Sequence, residues 1–229
     1  MAGVRPDSIM SYTNVQIANL ALAKVGDEAG QIVSFTQDSK EANLVNKFYE
    51  PSLREVLRMH TWNCAKTRAE LAQDTSTPTF GWDYQYSLPA DCVRPLQLFR
   101  SDSSQRLVRE NAEWAVEGRK ILTNHAECWL SYVKYLTDPN SMDELFIRAL
   151  YTQLAIKLAY PLTEESKLVR LLEDEMNTVI LPEARRVNSF EGYVMPSVDS
   201  EWLEATYTSI SSSSNSYPPF AQSSYGTFP

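Results

Sequence analysis

The sequence predicts an α+β fold: a bundle of about four helices, an antiparallel β insertion within it, and an extended C-terminal tail. Three observations predict it. Apolar residues recur every three or four positions near both ends of residues 1–196. In the middle, Phe80, Trp82, Tyr84, Tyr86 and Leu88 alternate with polar residues or glycine. From Ser197 onward the chain turns serine-rich and contains no lysine or arginine. The expected divisions are a domain over residues 1–196, helical over 13–60 and 141–188 with the β insertion over about 61–137, and a low-complexity tail over 197–229.

Taken in order, Asn14 caps a first helix running to about Val25, and Gly26 supplies the left-handed residue that stops it. Asp38 or Ser39 starts a second helix, with Glu41 as the capping-box partner of Asp38. Its stripe is Val45, Phe48, Tyr49, Leu53, Val56 and Leu57. Pro51 lies inside that stripe and lacks an N–H, so a kink or a split is expected near Lys47 to Tyr49. Phe80 to Leu88 reads as one strand, Pro89 and Asp91 as a turn, and Val93 to Phe99 as the returning strand. Ala115 to Leu122 reads as a hairpin turning at Gly118. Glu127 to Leu136, apolar on both sides, reads as a central strand. Ser141 and Glu144 form a capping box for a third helix. Its apolar residues from Leu145 to Leu158 occupy nearly every face, as a helix surrounded by partners requires. Pro161 ends it and Thr163 caps a fourth helix, whose stripe is Leu168, Leu171, Leu172, Met176, Val179 and Ile180.

Composition narrows the function classes. A chain of 229 residues that is 43% hydrophobic can build a substantial core. A formal net charge of −8 gives no electrostatic grip on phosphates, which argues against ordinary nucleic-acid binding. With only 7 glycines, no G-x-G-x-x-G and no glycine followed by Lys-Ser or Lys-Thr, nucleotide cradles are not expected. No G-x-S-x-G nucleophile elbow is present. Residues 1–14 carry Arg5 without an apolar run behind it, so no secretory signal is read. Leu145 to Tyr160 is interrupted by Arg148 and Lys157 and is too short to cross a bilayer. Cys64, Cys92 and Cys128 are odd in number and widely spaced, which reads as reduced, mostly buried thiols in a cytoplasmic chain.

A zinc set could be drawn from His60 and Cys64, His125 and Cys128, and Cys92. Structural zinc sites take tight cysteine pairs, which are absent. His125-Ala126-Glu127 mimics the opening of a zinc deaminase signature, but the P-C-x-x-C half is missing. Acidic pairs such as Glu164–Glu165 read as solvated helix faces. No catalytic residue, metal ligand or cofactor is assigned and no enzyme is expected; a small zinc-dependent enzyme is the distant alternative.

The tail is different. Asp199, Glu201 and Glu204 place −3 of the −8 there, leaving −5 on residues 1–196, and the last basic residue is Arg186. A segment with ten serines in 33 residues cannot build its own core. It nevertheless carries Trp202, Tyr207, Tyr217, Phe220, Tyr225 and Phe228, a higher density than the 11% aromatic content of the whole chain. These six read as anchors of a segment that orders on a partner.

Around Leu20 to Phe99 the chain runs NLALAKVGDE, then SFTQDSKEANLVNKFYEPSLREVLRMHTWNCAKTRAEL, then FGWDYQYSLPADCVRPLQLF. This stretch resembles the head–tail adaptor proteins of short-tailed bacteriophages, the tail tubular protein A family. The order helix, β insertion, helix extends the likeness to about residue 185, while no motif after Ser197 matches. The resemblance implies a virion protein of the phage neck, assembled in the host bacterial cytoplasm. It implies a homo-oligomeric ring of twelve copies (a 12-mer) between the portal protein and the tail nozzle protein, with tail fibres as further partners. The helical part would pack against neighbours, the C-terminal segment would reach the portal, and the β portion would face tail components. DNA would cross the lumen during ejection without specific binding, and no membrane would be involved. Twelve copies would carry a formal charge of about −96, repelling DNA if the acidic groups line the channel. A head-completion or stopper protein, or a nozzle component of the same tail machine, is the alternative.

Overall fold

The computed structural model describes residues 12–26, 30–101, 107–109 and 113–191, and in these residues helices precede and follow two small antiparallel sheets. Helix α1 spans Asn14–Val25. Its cap is Thr13 rather than Asn14: the Thr13 hydroxyl accepts from the Gln16 amide at 3.2 Å, and Gln16 accepts from the Thr13 amide at 2.8 Å. Asn14 is occupied elsewhere, accepting a hydrogen bond from the Tyr49 hydroxyl at 3.0 Å. Gly26 ends the helix at φ 94°, as expected.

Helix α2 spans Lys40–Met59, with Ser39 as its side-chain cap. Pro51 does not split it. Pro51 and Lys47 are both exposed, so water can satisfy the carbonyl that the proline leaves without a donor. Helix α3 spans Glu144–Thr163 and is capped by Asp143 rather than Ser141, which lies in a separate 3-10 turn. Pro161 sits inside its last turn instead of ending it; Glu164, at φ 59°, closes the helix. The fourth helical stretch is α4, Ser166–Glu175, a π-helical turn over Met176–Ile180, and α5, Leu181–Glu191. Thr163 does not cap it; Glu165 occupies that position without a side-chain bond. Leu172, Met176 and Ile180 turn inward, whereas Leu171 and Val179 of the expected stripe are 64% and 46% exposed. The stripe is therefore narrower than the spacing suggested.

Helix α3 is the centre of the bundle, with α1, α2 and α4 packed on it. Phe146, Leu150, Leu154 and Leu158 are fully buried there. Its buried polar groups are paired: Thr152 accepts from Lys24 at 2.9 Å and Gln153 donates to Glu55 at 2.7 Å.

Among the described residues the seven strands are β1 (Lys66–Glu70), β2 (Tyr84–Ser87), β3 (Cys92–Ser101), β4 (Leu107–Arg109), β5 (Trp114–Glu117), β6 (Lys120–Thr123) and β7 (Trp129–Lys134). One sheet has the order β1-β7-β3-β4 and the other β2-β6-β5. The β5–β6 hairpin turns at Gly118, φ 60°, and β7 is central, both as expected, although β7 is shorter than Glu127 to Leu136. Two expectations fail. The strand over Phe80 to Leu88 shrinks to Tyr84–Ser87, because Gly81 adopts φ 82° and Phe80 stands 86% exposed with no ladder partner. Nor does β3 return along β2; it pairs with β7, with register shifts on either side of Pro95, and β2 pairs with β6. Strand β1 was missed in the sequence, because its alternate residues Lys66, Arg68 and Glu70 are charged and exposed and leave only a five-residue alternation without an apolar face.

The faces of the two sheets that carry Leu98, Leu130 and Tyr132 on one side and Tyr86 and Ile121 on the other form a second core cluster. Reciprocal bonds join sheet to bundle. Arg58 of α2 donates to the Val93 carbonyl at 3.1 Å, and Arg94 of β3 donates to the Arg58 carbonyl at 3.3 Å. Arg94 thereby places a cation at the C-terminal end of α2, where the helix dipole favours it.

Candidate interaction surfaces

The six aromatic anchors Trp202, Tyr207, Tyr217, Phe220, Tyr225 and Phe228 lie outside the described residues. The zinc candidates lie inside them and are dispersed. His60 follows α2, Cys64 sits in a 3-10 turn on the helical core, and Cys92 and Cys128 belong to the sheet cluster. The Cys128 thiol donates to the His125 carbonyl at 3.6 Å. Burial pushes the Cys64 and Cys92 thiols above their ordinary range, so neither is an activated thiolate. Among the described residues, no group of three His, Cys, Asp or Glu side chains is placed to hold a metal.

His60 instead helps to fasten the end of α5. Its Nε2 meets the Asn188 amide nitrogen, and its ring stands edge-on to Trp62 at 5.0 Å. Asn63 donates to the Asn188 carbonyl at 3.3 Å and to the Glu191 carboxylate at 3.0 Å, and accepts from Lys66 at 3.1 Å. Burial lowers the His60 pKa, and the positive charges of Arg185, Arg94 and Lys66 lower it further. A neutral imidazole at this joint accepts from Asn188 through Nε2 and carries its proton on Nδ1. Glu191, the last described residue, thus lies beside the foot of β1.

A cleft of about 230 Å³ opens on the sheet, lined by Arg68, Ala69, Glu70, Phe99, Trp129 and Leu130. Register explains it. Glu70 and Phe99 flank Trp129 across three strands, and Arg68 lies one row inward opposite Ser131. Directly paired residues of antiparallel strands share a face, so these side chains stand together. The Arg68 guanidinium lies 5.8 Å from the Phe99 ring centre. On the same face, the inner row at Val133 belongs to the helical core, and cover by the bundle stops short of Trp129. The sequence reading missed the cleft because its walls come from three strands distant in the chain. Strict alternation in Lys66–Glu70 was the one signal available.

A third surface follows α4 and α5, where Leu171, Val179 and Phe190 are exposed. No protein-family model matches the chain, and no curated protein matches it.

Proposed function

We propose that the chain is a structural virion protein, the repeating subunit of a head-to-tail adaptor ring that joins the portal to the tail nozzle of a short-tailed phage and forms part of its DNA conduit. The observation that carries this reading is where the resembling segments fall. NLALAKVG forms the end of α1 with its Gly26 stop, and DSKEANLVNKFYEPSLREVLR forms the start and body of α2. HTWNC brings the fully buried Trp62 into the helical core, AKTRAEL supplies β1, and DYQYSLPADC carries β2 into β3. The likeness thus follows consecutive elements that build one α+β body, rather than a scatter of surface positions. Two further features support it: apolar residues exposed along α4 and α5 suit lateral packing, and an aromatic, serine-rich C-terminal sequence suits docking on a neighbouring component.

The test is native mass measurement of the chain mixed with the portal protein of its phage. The expected result is a discrete ring stoichiometry that is lost when residues 197–229 are deleted. Cryo-electron microscopy of the assembled vertex should place the chain directly beneath the portal. Density for the chain farther down the tail would overturn the adaptor reading in favour of a nozzle component.

A further inference from the structure

The cleft lies at the open edge of its sheet. β1 is the terminal strand in the order β1-β7-β3-β4, and among the described residues no strand pairs with its outer side. An edge of this kind can accept an extended segment by backbone pairing, with a neighbouring pocket selecting one side chain. At about 230 Å³ the cleft is smaller than the ~300–1,000 Å³ of small-molecule sites, so it suits one anchoring side chain rather than a cofactor. Its walls specify that side chain. Phe99 and Trp129 present aromatic surface, and Arg68 offers a guanidinium to a π face or a carboxylate. Lys66 and Arg68 give the exposed face of β1 two cations against the single carboxylate of Glu70.

We infer that this edge and cleft receive residues 199–207, Asp-Ser-Glu-Trp-Leu-Glu-Ala-Thr-Tyr, of a second copy of the chain, with Trp202 as the anchor. Charge complementarity selects the occupant. The segment carries Asp199, Glu201 and Glu204, no basic residue follows Arg186, and two of the three carboxylates closely flank Trp202. Length permits it. Seven residues separate Glu191 from Asp199, enough to span roughly 25 Å when extended. In the adaptor ring, on which this inference rests, every copy would then both give a segment and receive one, a head-to-tail contact that the ring closes.

Two measurements on full-length chains test it. In the first, a fluorescent peptide of residues 197–210 is titrated with the Trp202→Ala chain, whose own anchor is removed. Saturable binding that weakens with salt is expected, and at least about tenfold loss when Arg68→Glu or Trp129→Ala is added. Equal binding by all three chains, or none by any, overturns the docking site. In the second, the Arg68→Glu chain, which keeps its segment, is mixed with the Trp202→Ala chain, which keeps its cleft. Heterodimers seen only in the mixture support exchange between copies. Peptide binding without heterodimers shows that the segment docks on its own chain and overturns the exchange. A vertex map that removes the chain from the portal defeats the ring reading and leaves the peptide result standing, so the two failures are distinguishable.

Discussion

The helical and β regions are stabilised in different ways. The helical core joins thirty buried apolar residues around α3, and the sheet cluster joins eight among the described residues. In the bundle, α3 is apolar on nearly every face because it packs against α1, α2 and α4. In the sheets, one face is packed, part of the other is open, and an edge strand ends in charged residues. Burial scales with stabilisation, so the bundle supplies most of the folding free energy and the sheets are free to present side chains.

Two tryptophans test that division most severely. Trp62 is 1% exposed, stands edge-on to Phe146 at 5.2 Å and donates to the Val56 carbonyl at 2.8 Å. Its replacement by alanine is expected to cost about 3–5 kcal/mol in chemical denaturation. Trp129 is half-buried at the cleft, and Trp129→Ala is expected to cost no more than about 1.5 kcal/mol. Similar losses at both sites would show that the cleft is part of the core and would break the comparison.

The same division explains what could be read from the chain. The stripes of α2 and α3 announced themselves because each helix carries its own periodicity, and Gly26 and Gly118 marked a helix end and a hairpin turn by conformations that favour glycine. Strand partners were illegible. Tyr84–Ser87 and Cys92–Ser101 are close in sequence, as a hairpin would be, yet join different sheets. Alternation shows which face of a strand is buried and says nothing about its neighbour. Local signals also fail where a nearby group competes: Asn14 could cap α1, but Tyr49 binds it and Thr13 takes the role. The cleft was hidden because Arg68, Phe99 and Trp129 meet only after three strands have found their register.

Within the sheets the largest polar test is Tyr86. Its hydroxyl donates to the His125 carbonyl at 2.6 Å, and burial raises its pKa above the ordinary tyrosine range. Tyr86→Phe leaves that carbonyl without this donor, and a loss of about 1–3 kcal/mol is expected. Hydrogen exchange should quicken in β2 and β6 while α3 keeps its protection. Equal quickening in both regions would mean that bundle and sheets unfold as one unit, which sharpens the comparison into a difference of packing alone.

The seam between the regions is expected to respond to acid. The pKa of His60 is lowered in the fold, so the unfolded chain binds its proton more readily. Stability is then full above the ordinary histidine pKa of about 6.5 and falls as pH drops below it. The charge is added among Arg185, Arg94 and Lys66, and a protonated Nε2 can no longer accept from Asn188. His60→Gln should flatten the fall of melting temperature just below that pH. An unchanged slope in the variant would move the acid response to other groups.

The smallest effect expected is at Val33, and it separates exposure from docking. Val33 is 87% exposed, yet its loop is firmly built: Asn19 bonds both the amide and the carbonyl of Ile32, at 2.9 and 3.0 Å, and Gln37 accepts from the Val33 amide at 2.9 Å. Val33 is not among the residues that wall the cleft, which include Arg68, Phe99 and Trp129. Val33→Ser should therefore change stability by no more than about 0.5 kcal/mol and leave the oligomeric state untouched. A Val33→Ser chain that lost its oligomers would place a partner contact on the α1–α2 loop. The helical region would then present a surface of its own, and the division of labour between the two regions would no longer hold.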